Sequence, residues 1–515
     1  MAIHRTAELL VRVDRRAGSA LQQQIYSEIR RAVLDGVVQP GARLPSSRAL
    51  ADDLAVSRTT TLLAFEQLTA EGYLVGRRGS GTFVARELPD DLPRANGVRR
   101  GAIAKHPPLS NRGLALTSTP PAARRLPGPP RPFRLGVPAV DLFPLRLWSQ
   151  LINRRLRSLT LAQLDYNEAG GFRPLREAIA DHVQSARGTR CTADDLLIVG
   201  GTQRGLEFIA DLVLDTGDSA WLEEPGYPGA RAALAGAGAR IVPVPVDDEG
   251  LSVTAGARLA PRARLVYVTP SNQFPLGVPM SLPRRLALLR WASAARAWVL
   301  EDDYDSEFRY GARPIPCLHG LDEDGRVIYV GSFSKTLFPA LRLGFLIVPS
   351  DLQKRLLSAR RAADVHPPLL EQAALADLMS SGHFDRHLRR MRAAYHERLD
   401  ALTEAAGRCC DGGLTLRPVR TGLHAVADLS SVDAERVSHE AAARGVEVTP
   451  LAHYYIGRPR SIGENQSTNA IVLGFASVRP EAIRRGMEQL AAAIDAAGRP
   501  ESSGVSVRRA LGGGR

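Results

Sequence analysis

A four-residue repeat of apolar side chains is the first regular pattern along the chain. It runs through Leu21, Ile25, Ile29 and Val33. Side chains with this spacing share one face of a helix, and Gly36 is a suitable residue to end it. The repeat therefore predicts an amphipathic helix with one buried face.

Two shorter helices are predicted after it, each preceded by a serine that can cap its first turn. Ser46 opens a segment whose inward residues are expected to be Ala49, Leu50 and Leu54. Ser57 opens another segment, whose apolar face is expected to contain Leu62, Phe65 and Leu68. A serine hydroxyl in this position accepts a hydrogen bond from a backbone amide of the first turn.

A β-hairpin is predicted to follow the three helices. Residues 72–75 and 82–84 contain aromatic and β-branched side chains, and residues 76–81 between them include three glycines. A glycine-rich turn between two such runs is typical of a hairpin. Three helices followed by a hairpin is the order of elements in a winged helix-turn-helix.

Beyond Leu135 the pattern changes, because short apolar runs alternate with helical segments as far as residue 497. This alternation predicts a mostly parallel sheet with helices on both faces. The predicted strands are residues 196–199, 219–222, 240–244, 265–268, 298–300, 327–330 and 343–348. The sequence thus predicts a small, mostly helical unit over residues 18–86 and a large α/β unit over residues 133–497.

The segment between the two units, residues 87–132, is rich in Pro, Gly and Arg. Proline pairs such as Pro107-Pro108 stiffen a chain locally without packing it. We expect a tether that lets one unit move relative to the other, and an inert spacer is the alternative. Residues 498–515 are expected to form a flexible tail.

Length and charge agree with this division. A chain of 515 residues exceeds the usual size of one domain. Residues 1–131 hold 20 Lys+Arg and 11 Asp+Glu, a surplus of nine in a total net charge of +13. Such a concentration of positive charge is expected if the small unit binds a polyanion. A general preference for arginine is the alternative.

The compartment is predicted from the cysteines and from the absence of long apolar runs. Four cysteines form no CxxC pair, which favours a reducing environment. The first 20 residues contain four arginines and no long apolar core, and no run approaches the length of a membrane span. We therefore expect a cytoplasmic, nucleoid-associated protein with no membrane segment and no metal site.

Lysine is rare in this chain, and one of the few lysines, Lys335, lies between two serines and an arginine. The three lysines are Lys105, Lys335 and Lys354, whereas arginine is abundant. Lys335 lies in SFSKTLFPALRLG, residues 332–344. A Schiff base needs an amine that can lose its proton, and a guanidinium does not lose one. A lysine can therefore form such a bond, whereas an arginine in its place could not.

Residues 40–85, PGARLPSSRALADDLAVSRTTTLLAFEQLTAEGYLVGRRGSGTFVA, resemble the DNA-binding domain of GntR-type regulators. The resemblance implies that the third helix enters the major groove by its first residues. The DNA contacts that it implies are Arg48, Arg58, Thr59, Thr60, Arg77, Arg78 and Gly79. Arg58 suits a paired contact with guanine, and the hairpin tip suits phosphate or minor-groove contacts.

The large unit resembles the fold-type I, class I aminotransferases, which bind pyridoxal 5'-phosphate (PLP). The matching motifs are GGTQ at 200–203, EPGYP at 224–228, TPSNQFPLG at 269–277, EDDYD at 301–305 and the Lys335 segment. The resemblance implies an internal aldimine at Lys335. The cofactor-binding residues that it implies are Gly201, Thr202, Gln203, Tyr227, Asn272, Asp302, Tyr304, Ser332, Ser334, Arg342 and Tyr166.

Several of these residues have an expected role. Strand alternation places Asp302 and Tyr304 on one face, so Asp302 is expected at the pyridine nitrogen and Tyr304 at the ring oxygen, with Asn272 nearby. Tyr227 is implied to stack on the ring. Tyr166, in DYNEAG at 165–170, is implied to reach the phosphate from the neighbouring subunit of a head-to-tail homodimer.

One position departs from the aminotransferase pattern. Enzymes of this class hold the substrate carboxylate with an arginine in a late strand, and the corresponding residue here is Val472. A valine does not bind a carboxylate, so at most weak transaminase activity is expected.

As a whole, the chain resembles the MocR-type regulators, in which a GntR-type winged helix precedes an aminotransferase-like domain. That resemblance implies a DNA-binding transcription factor that senses PLP, or an amino compound through PLP, at Lys335. Genes of vitamin B6 or amino-acid metabolism are the candidate targets. An active aminotransferase with an attached DNA-binding domain is the alternative.

Overall fold

The computed structural model describes residues 11–15, 17–77, 79–89, 108–118, 128–311, 316–410, 412–457 and 468–499. The chain divides into two compact units between Pro108 and Leu109. This division lies inside the segment predicted as a linker, so part of that segment belongs to the large unit.

The first unit has the predicted order of elements. It contains α1 Leu21–Leu34, α2 Ser47–Asp53, α3 Arg58–Ala70 and an antiparallel hairpin of β1 Leu74–Arg77 and β2 Gly81–Val84. Both predicted caps are formed, because Ser46 Oγ accepts the amide hydrogen of Ala49 and Ser57 Oγ accepts that of Thr60, each at 3.1 Å. A cap of this kind stabilises a helix by about 1 kcal/mol.

Two details of the predicted buried faces are wrong. Leu62 is 40 % exposed. The buried residues of α3 are Thr61, Ala64, Phe65 and Leu68. An apolar pattern misses this face because it begins with a threonine, whose hydroxyl is satisfied by donating to Ser47 O at 2.8 Å. In α2 the buried residues are the adjacent Leu50 and Ala51, and Ala49 is exposed.

The large unit is built around an eight-stranded sheet. Its strands are β3 Leu196–Val199, β4 Ser219–Glu224, β5 Arg240–Asp247, β6 Gly250–Leu251, β7 Leu265–Val268, β8 Trp298–Asp303, β9 Val327–Ser332 and β10 Gly344–Ile347. They are ordered β3-β10-β9-β8-β7-β4-β5-β6. The run from β9 to β5 is parallel, whereas β10 is antiparallel to both neighbours and β6 is an antiparallel edge. The prediction of a mostly parallel sheet is therefore confirmed.

Helices cover both faces of this sheet. Successive residues of β3 pack into different hydrophobic cores on the two faces. Leu197 packs in a cluster with Ile209 and Leu234, whereas Ile198 packs in another cluster with Leu175. We find no helix among the described residues with the length and apolar character of a membrane span. The helices preceding the second sheet are α4 Asn111–Ser118, α5 Leu145–Arg157, α6 Arg173–Arg187, α7 Thr202–Val213, α8 Pro228–Gly236, α9 Val253–Leu259, α10 Leu282–Ala295, α11 Leu318–Leu321, α12 Ser350–Ala363, α13 Leu370–Ser380 and α14 His383–Cys409.

A second, antiparallel sheet forms the last part of the large unit. It contains β11 Leu414–Leu416, β12 His424–Leu429, β13 Thr449–Pro450 and β14 Ala470–Gly474, together with helices α15 Ala434–Ala443 and α16 Pro480–Gly498. Its strand order is β11-β12-β14-β13. The sequence pattern does not single out this sheet, because two of its strands have three residues or fewer.

Helix α4 lies within the segment predicted as a tether and is docked on the large unit. Arg112 Nε donates to Gly236 O at 2.6 Å, and Arg112 Nη2 donates to Asp211 Oδ1 at 3.0 Å. Leu116 packs so closely that a Cβ on Gly236 would lie 2.8 Å from it. Helix α4 therefore holds the carboxyl-terminal ends of α7 and α8 together. A tether role for the rest of 87–132 stays a prediction.

Candidate functional site

A cavity of about 190 Å³ lies at the carboxyl ends of β7, β8 and β9. Ligands of open α/β sheets bind at this edge of the strands. The predicted residues that line this cavity are Thr202, Gln203, Tyr227, Asp302, Tyr304, Ser332, Ser334, Lys335 and Arg342. Residues from four separate sequence motifs therefore meet in one place.

One corner of the cavity offers several donors suited to an anion. Gly201 has a φ of +85° and precedes the first residue of α7, so the start of that helix faces the corner. Arg342 Nη2 donates to Gly200 O at 3.0 Å, which places its guanidinium beside the same turn. The backbone amide of Ser334 donates to Ser332 Oγ at 3.1 Å. A helix amino terminus, hydroxyls and a guanidinium together fit a phosphate group.

The amine of Lys335 lies inside the cavity against a backbone carbonyl. Its Nζ donates to Gly136 O at 2.7 Å. Gly136 has a φ of +77°, and a Cβ there would lie 3.0 Å from Nζ. The close approach and the positive φ both favour glycine at this position. The loop at 135–136, which the sequence does not single out, thus positions the amine.

Asp302 is a buried carboxylate with one oxygen satisfied. Its Oδ2 accepts from the Tyr267 hydroxyl at 2.8 Å, and its Oδ1 is buried without a hydrogen-bond donor among the described residues. Burial raises the pKa of Asp302 to about 7, because a low dielectric disfavours the charged form. A protonated ring nitrogen would satisfy the second oxygen and favour the carboxylate, so this residue fits the pyridine nitrogen of PLP.

A buried polar network fixes the side chains beyond Asp302. Tyr304 donates its hydroxyl hydrogen to Asn272 O at 2.9 Å. Asn272 Nδ2 donates to Tyr304 Oη and to both carboxylate oxygens of Asp305, each at 3.0 Å. Thr421 donates to Asn272 Oδ1 at 2.8 Å. Asn272 therefore lies behind the cavity wall and orients Tyr304 and Asp305, which form the wall itself.

Aromatic rings form another part of the wall. Phe274 makes edge contacts with Tyr227, Tyr304 and His424, with ring centroids 5.7, 6.1 and 5.6 Å apart. Burial lowers the pKa of His424 to about 4, and its Nε2 lies 3.0 Å from Pro275 O. His424 is therefore neutral at pH 7. It contributes a polar but uncharged surface to the cavity.

Tyr166 does not line the cavity of its own chain. Its side chain is 80 % exposed, and its ring lies 6.1 Å from that of His366. Leu145, Leu161 and Leu164 are exposed in the same part of the sequence, at 69, 87 and 67 %. The predicted role of Tyr166 requires a second subunit and stays a prediction.

Val472, at the position expected for a carboxylate-binding arginine, is fully buried in β14. It packs in an apolar cluster with Val426, Leu451 and Tyr454, and Phe274 packs against that cluster. The side chain at this position therefore supports the aromatic wall. It presents no charge to a ligand.

Half of the cavity lining was not predicted. These residues are Leu135, Gly136, Tyr267, Thr269, Phe274, Asp305, Pro339, Leu423 and His424. Tyr267 could have been found from the strand register. It pairs with Leu300 on the neighbouring parallel strand, and Asp302, two residues after Leu300, lies on the same face of the sheet. The residues at 135–136 and 423–424 come from distant segments whose local sequence carries no signal.

The predicted DNA contacts lie on the surface of the first unit. Arg58 and Thr59 are exposed at the amino terminus of α3, and Arg48 is exposed on α2. The Thr60 and Ser57 hydroxyls lie 2.7 Å apart, which orders the first turn of α3. These residues form a polar surface that suits the major groove.

The tip of the hairpin lies partly within the described residues. The Arg77 guanidinium lies over the Phe83 ring at 4.9 Å, and Gly79 has a φ of +76°, which favours glycine in this turn. Arg78 lies outside the described residues. The contacts predicted for the hairpin with DNA stay predictions.

Comparison with protein families matches both units. Residues 21–84 match the family of bacterial regulatory proteins named gntR, and residues 148–490 match aminotransferase class I and II. The chain is similar to the protein named "Probable rhizopine catabolism regulatory protein MocR" of Rhizobium meliloti, with 39 % identity over 96 % of this chain and 97 % of that protein. It is also 31 % identical to the "HTH-type pyridoxine biosynthesis transcriptional regulator PdxR" of Corynebacterium glutamicum, over 95 % of this chain and 99 % of that protein.

The large unit is also similar to solved aminotransferase structures. LysN, the α-aminoadipate aminotransferase of Thermus thermophilus, was solved with N-(5'-phosphopyridoxyl)-L-leucine. It matches with a TM-score of 0.63 and 29 % identity over 71 % of this chain and 92 % of that chain. The kynurenine aminotransferase of Pyrococcus horikoshii matches with a TM-score of 0.64 and 27 % identity over 72 % and 91 %. The predicted resemblance and fold class are therefore confirmed.

Proposed function

The chain belongs to the MocR-type transcriptional regulators, in which a GntR-type DNA-binding domain precedes an aminotransferase-like domain, and we propose that it senses PLP, or an amino compound through PLP, at Lys335. The observation that carries this proposal is the convergence of an amine, an anion-binding corner and a half-satisfied buried carboxylate in one cavity. A relative named as a regulator of pyridoxine biosynthesis agrees with such a signal.

The described residues have the chemistry to hold PLP. Gly201, the start of α7 and Arg342 would hold the phosphate, and Tyr227 would lie against the ring. Asp302 would hold the ring nitrogen, and its buried Oδ1 supports this role. When bound, PLP supplies an aldehyde carbon that condenses with a primary amine. Lys335 is the lysine that lines the cavity.

A homodimer is part of the proposal. The exposed apolar side chains of Leu145, Leu161 and Leu164 suit burial against a second copy of the chain. Tyr166 lies in the same sequence region, so such an interface could bring it to the partner's cavity. In that arrangement, cofactor occupancy and dimer geometry are linked.

Catalytic transamination is the second candidate function, and the burial of Val472 disfavours it. A substrate carboxylate would lack a charge-assisted bond worth about 1.5–3 kcal/mol. Such a loss lowers the rate by about one to two orders of magnitude. Turnover of common amino acids at ordinary enzyme rates would favour the enzyme over the sensor.

The proposal is tested by measuring operator binding with and without PLP. Because coupling between two sites is reciprocal, PLP should change the affinity for DNA by the same factor by which DNA changes the affinity for PLP. We expect a coupling of about 1–3 kcal/mol. Lys335→Ala should remove most of it, and the matched variant Lys354→Ala should retain it. Identical DNA affinity and footprint with and without PLP would reject PLP sensing.

A further inference from the structure

The cavity wall contains an acid, the last residue of the EDDYD motif, to which the proposed binding of PLP gives no role. Asp305 is 1 % exposed and lines the cavity. Both of its carboxylate oxygens accept from Asn272 Nδ2 at 3.0 Å. The fold therefore holds this acid in the wall of the cavity.

The backbone beside Asp305 is shaped to permit this arrangement. A Cβ on Gly422 would lie 2.7 Å from Asp305 Oδ2 and 2.1 Å from Asn272 Nδ2, and Gly422 has a φ of +83°. Thr421 fixes Asn272 from the other side through its 2.8 Å hydrogen bond to Oδ1. Two adjacent residues of the chain thus position Asn272, which in turn positions the acid.

Cations around the cavity are few and have other roles. Among the described lining residues, Lys335 and Arg342 are the lysines and arginines. Lys335 is the proposed covalent residue, and Arg342 contacts the turn at Gly200 in the anion corner. His424 is neutral at pH 7, and Val472 is buried in an apolar cluster. The described lining therefore offers no second cation to a ligand carboxylate.

We propose that the effector is a primary amine without a carboxylate group, and that Asp305 selects it. This inference rests on the proposed function. A buried carboxylate stabilises a positive charge placed near it and disfavours a negative one, and both effects are strong where water is excluded. Burial raises the pKa of Asp305 well above its usual value, whereas Asn272 and the nearby Lys335 oppose that shift. Like Asn272 and Lys335, a cationic ligand would favour the charged form of Asp305, whereas a ligand carboxylate would disfavour it.

The exchange at Lys335 balances in atoms and charge. The ligand nitrogen goes from an ammonium to a protonated imine, so it gives up two protons and forms a double bond to the cofactor carbon, while the double bond from that carbon to Lys335 breaks. The Lys335 nitrogen takes up the two protons and leaves as an ammonium. No oxidant, reductant or water is consumed.

The test uses pairs of ligands that differ by one carboxylate. Ethanolamine is compared with serine, and putrescine with ornithine, by titrating each into the full-length protein loaded with PLP. The readout is the shift of the visible absorption band of the bound cofactor. In each pair we expect the amine to half-saturate at a concentration at least tenfold lower than the amino acid. Asp305→Asn should reduce this preference at least threefold.

The possible outcomes are distinct. Equal half-saturation within both pairs, or tighter binding of the amino acids, would overturn the proposal without any variant. A PLP-loaded protein whose band responds to none of the four ligands would also overturn it, while leaving PLP binding at Lys335 intact. Failure to form a covalent link to PLP at all would instead reject the proposed function itself. A preference that is unchanged in a folded, PLP-loaded Asp305→Asn protein would show that Asp305 does not select the ligand.

Discussion

The two units hold their candidate functional residues in opposite ways. In the first unit Arg58 and Thr59 are exposed at a helix terminus, where a large partner such as DNA can reach them. In the large unit Asp302 and Asp305 are 4 % and 1 % exposed, and their charges are set by burial. Changes to Arg58 or Thr59 should therefore affect binding alone, whereas changes to Asp302 or Asp305 should affect binding and stability together.

The largest expected effect concerns covalent binding in the cavity. Lys335→Ala should abolish the PLP that borohydride fixes to the protein, because an alanine has no amine to bond the aldehyde. Mass mapping after reduction should place the cofactor on the peptide that contains Lys335. Lys354, exposed on α12, provides the matched control, and Lys354→Ala should retain full labelling. A label on Lys354 or Lys105 would contradict the assignment.

The next effect is a pH-dependent contribution to stability from buried acids of the large unit. Burial raises the pKa of Asp302, Glu223 and Glu301 to about 7. At these three groups the folded state keeps protons that the unfolded chain releases, so their contribution to the stability of the PLP-free protein is lost as the pH rises from about 4 to 7. Buried His424, whose pKa is lowered, contributes in the opposite direction. Each such group contributes a slope of at most about 1.4 kcal/mol per pH unit. Asp302→Asn should remove one contribution.

Tryptophan fluorescence measures this slope without interference from the first unit. All four tryptophans, Trp148, Trp221, Trp291 and Trp298, lie in the large unit. Urea unfolding at several pH values gives the free energy of unfolding as a function of pH. This free energy should fall less with rising pH for Asp302→Asn than for the wild type. Asp400→Asn, which changes a side chain that is 69 % exposed, is the control. If Asp302→Asn and the wild type had equal slopes, Asp302 would not hold a proton in the folded state.

A smaller effect is expected from Arg58→Ala on DNA binding. Loss of a paired guanine contact should cost about 1–3 kcal/mol and relax specificity at one base pair. The unfolding midpoint should not change, because the side chain is exposed. Arg31→Ala, on the exposed side of α1, should leave both quantities near their wild-type values. If Arg58→Ala kept the full sequence preference, the predicted contact of α3 with the major groove would be wrong.

The smallest effect is expected at the hairpin tip. Arg77→Ala should weaken binding to all DNA sequences alike and lower the slope of log affinity against log salt by about one, because a phosphate contact carries no base information. Affinities for operator and random DNA, measured over a range of salt, test this. A loss confined to the operator would indicate base recognition by the hairpin instead.

The sequence predicts the exposed site more fully than the buried one. Residues that cap and open α3 are neighbours along the chain, so Ser57, Arg58 and Thr59 could be placed from local pattern alone. Motifs around Lys335 and Asp302 also predict one side of the cavity. His424 and Gly136 could not be found in this way, because contacts across the fold bring them to the site. Thr61 was missed for another reason, since a satisfied hydroxyl is buried where an apolar residue is expected.

The docking of α4 decides where the large unit can be separated from the first. A fragment beginning at residue 133, the boundary that the sequence suggests, would lack Arg112 and Leu116. It would leave Gly236 O and Asp211 without these partners and uncover the surface on which Leu116 packs. A fragment beginning at residue 109 keeps the helix in place. Protein engineers who wish to join the large unit to a different DNA-binding domain should therefore make the junction before residue 109.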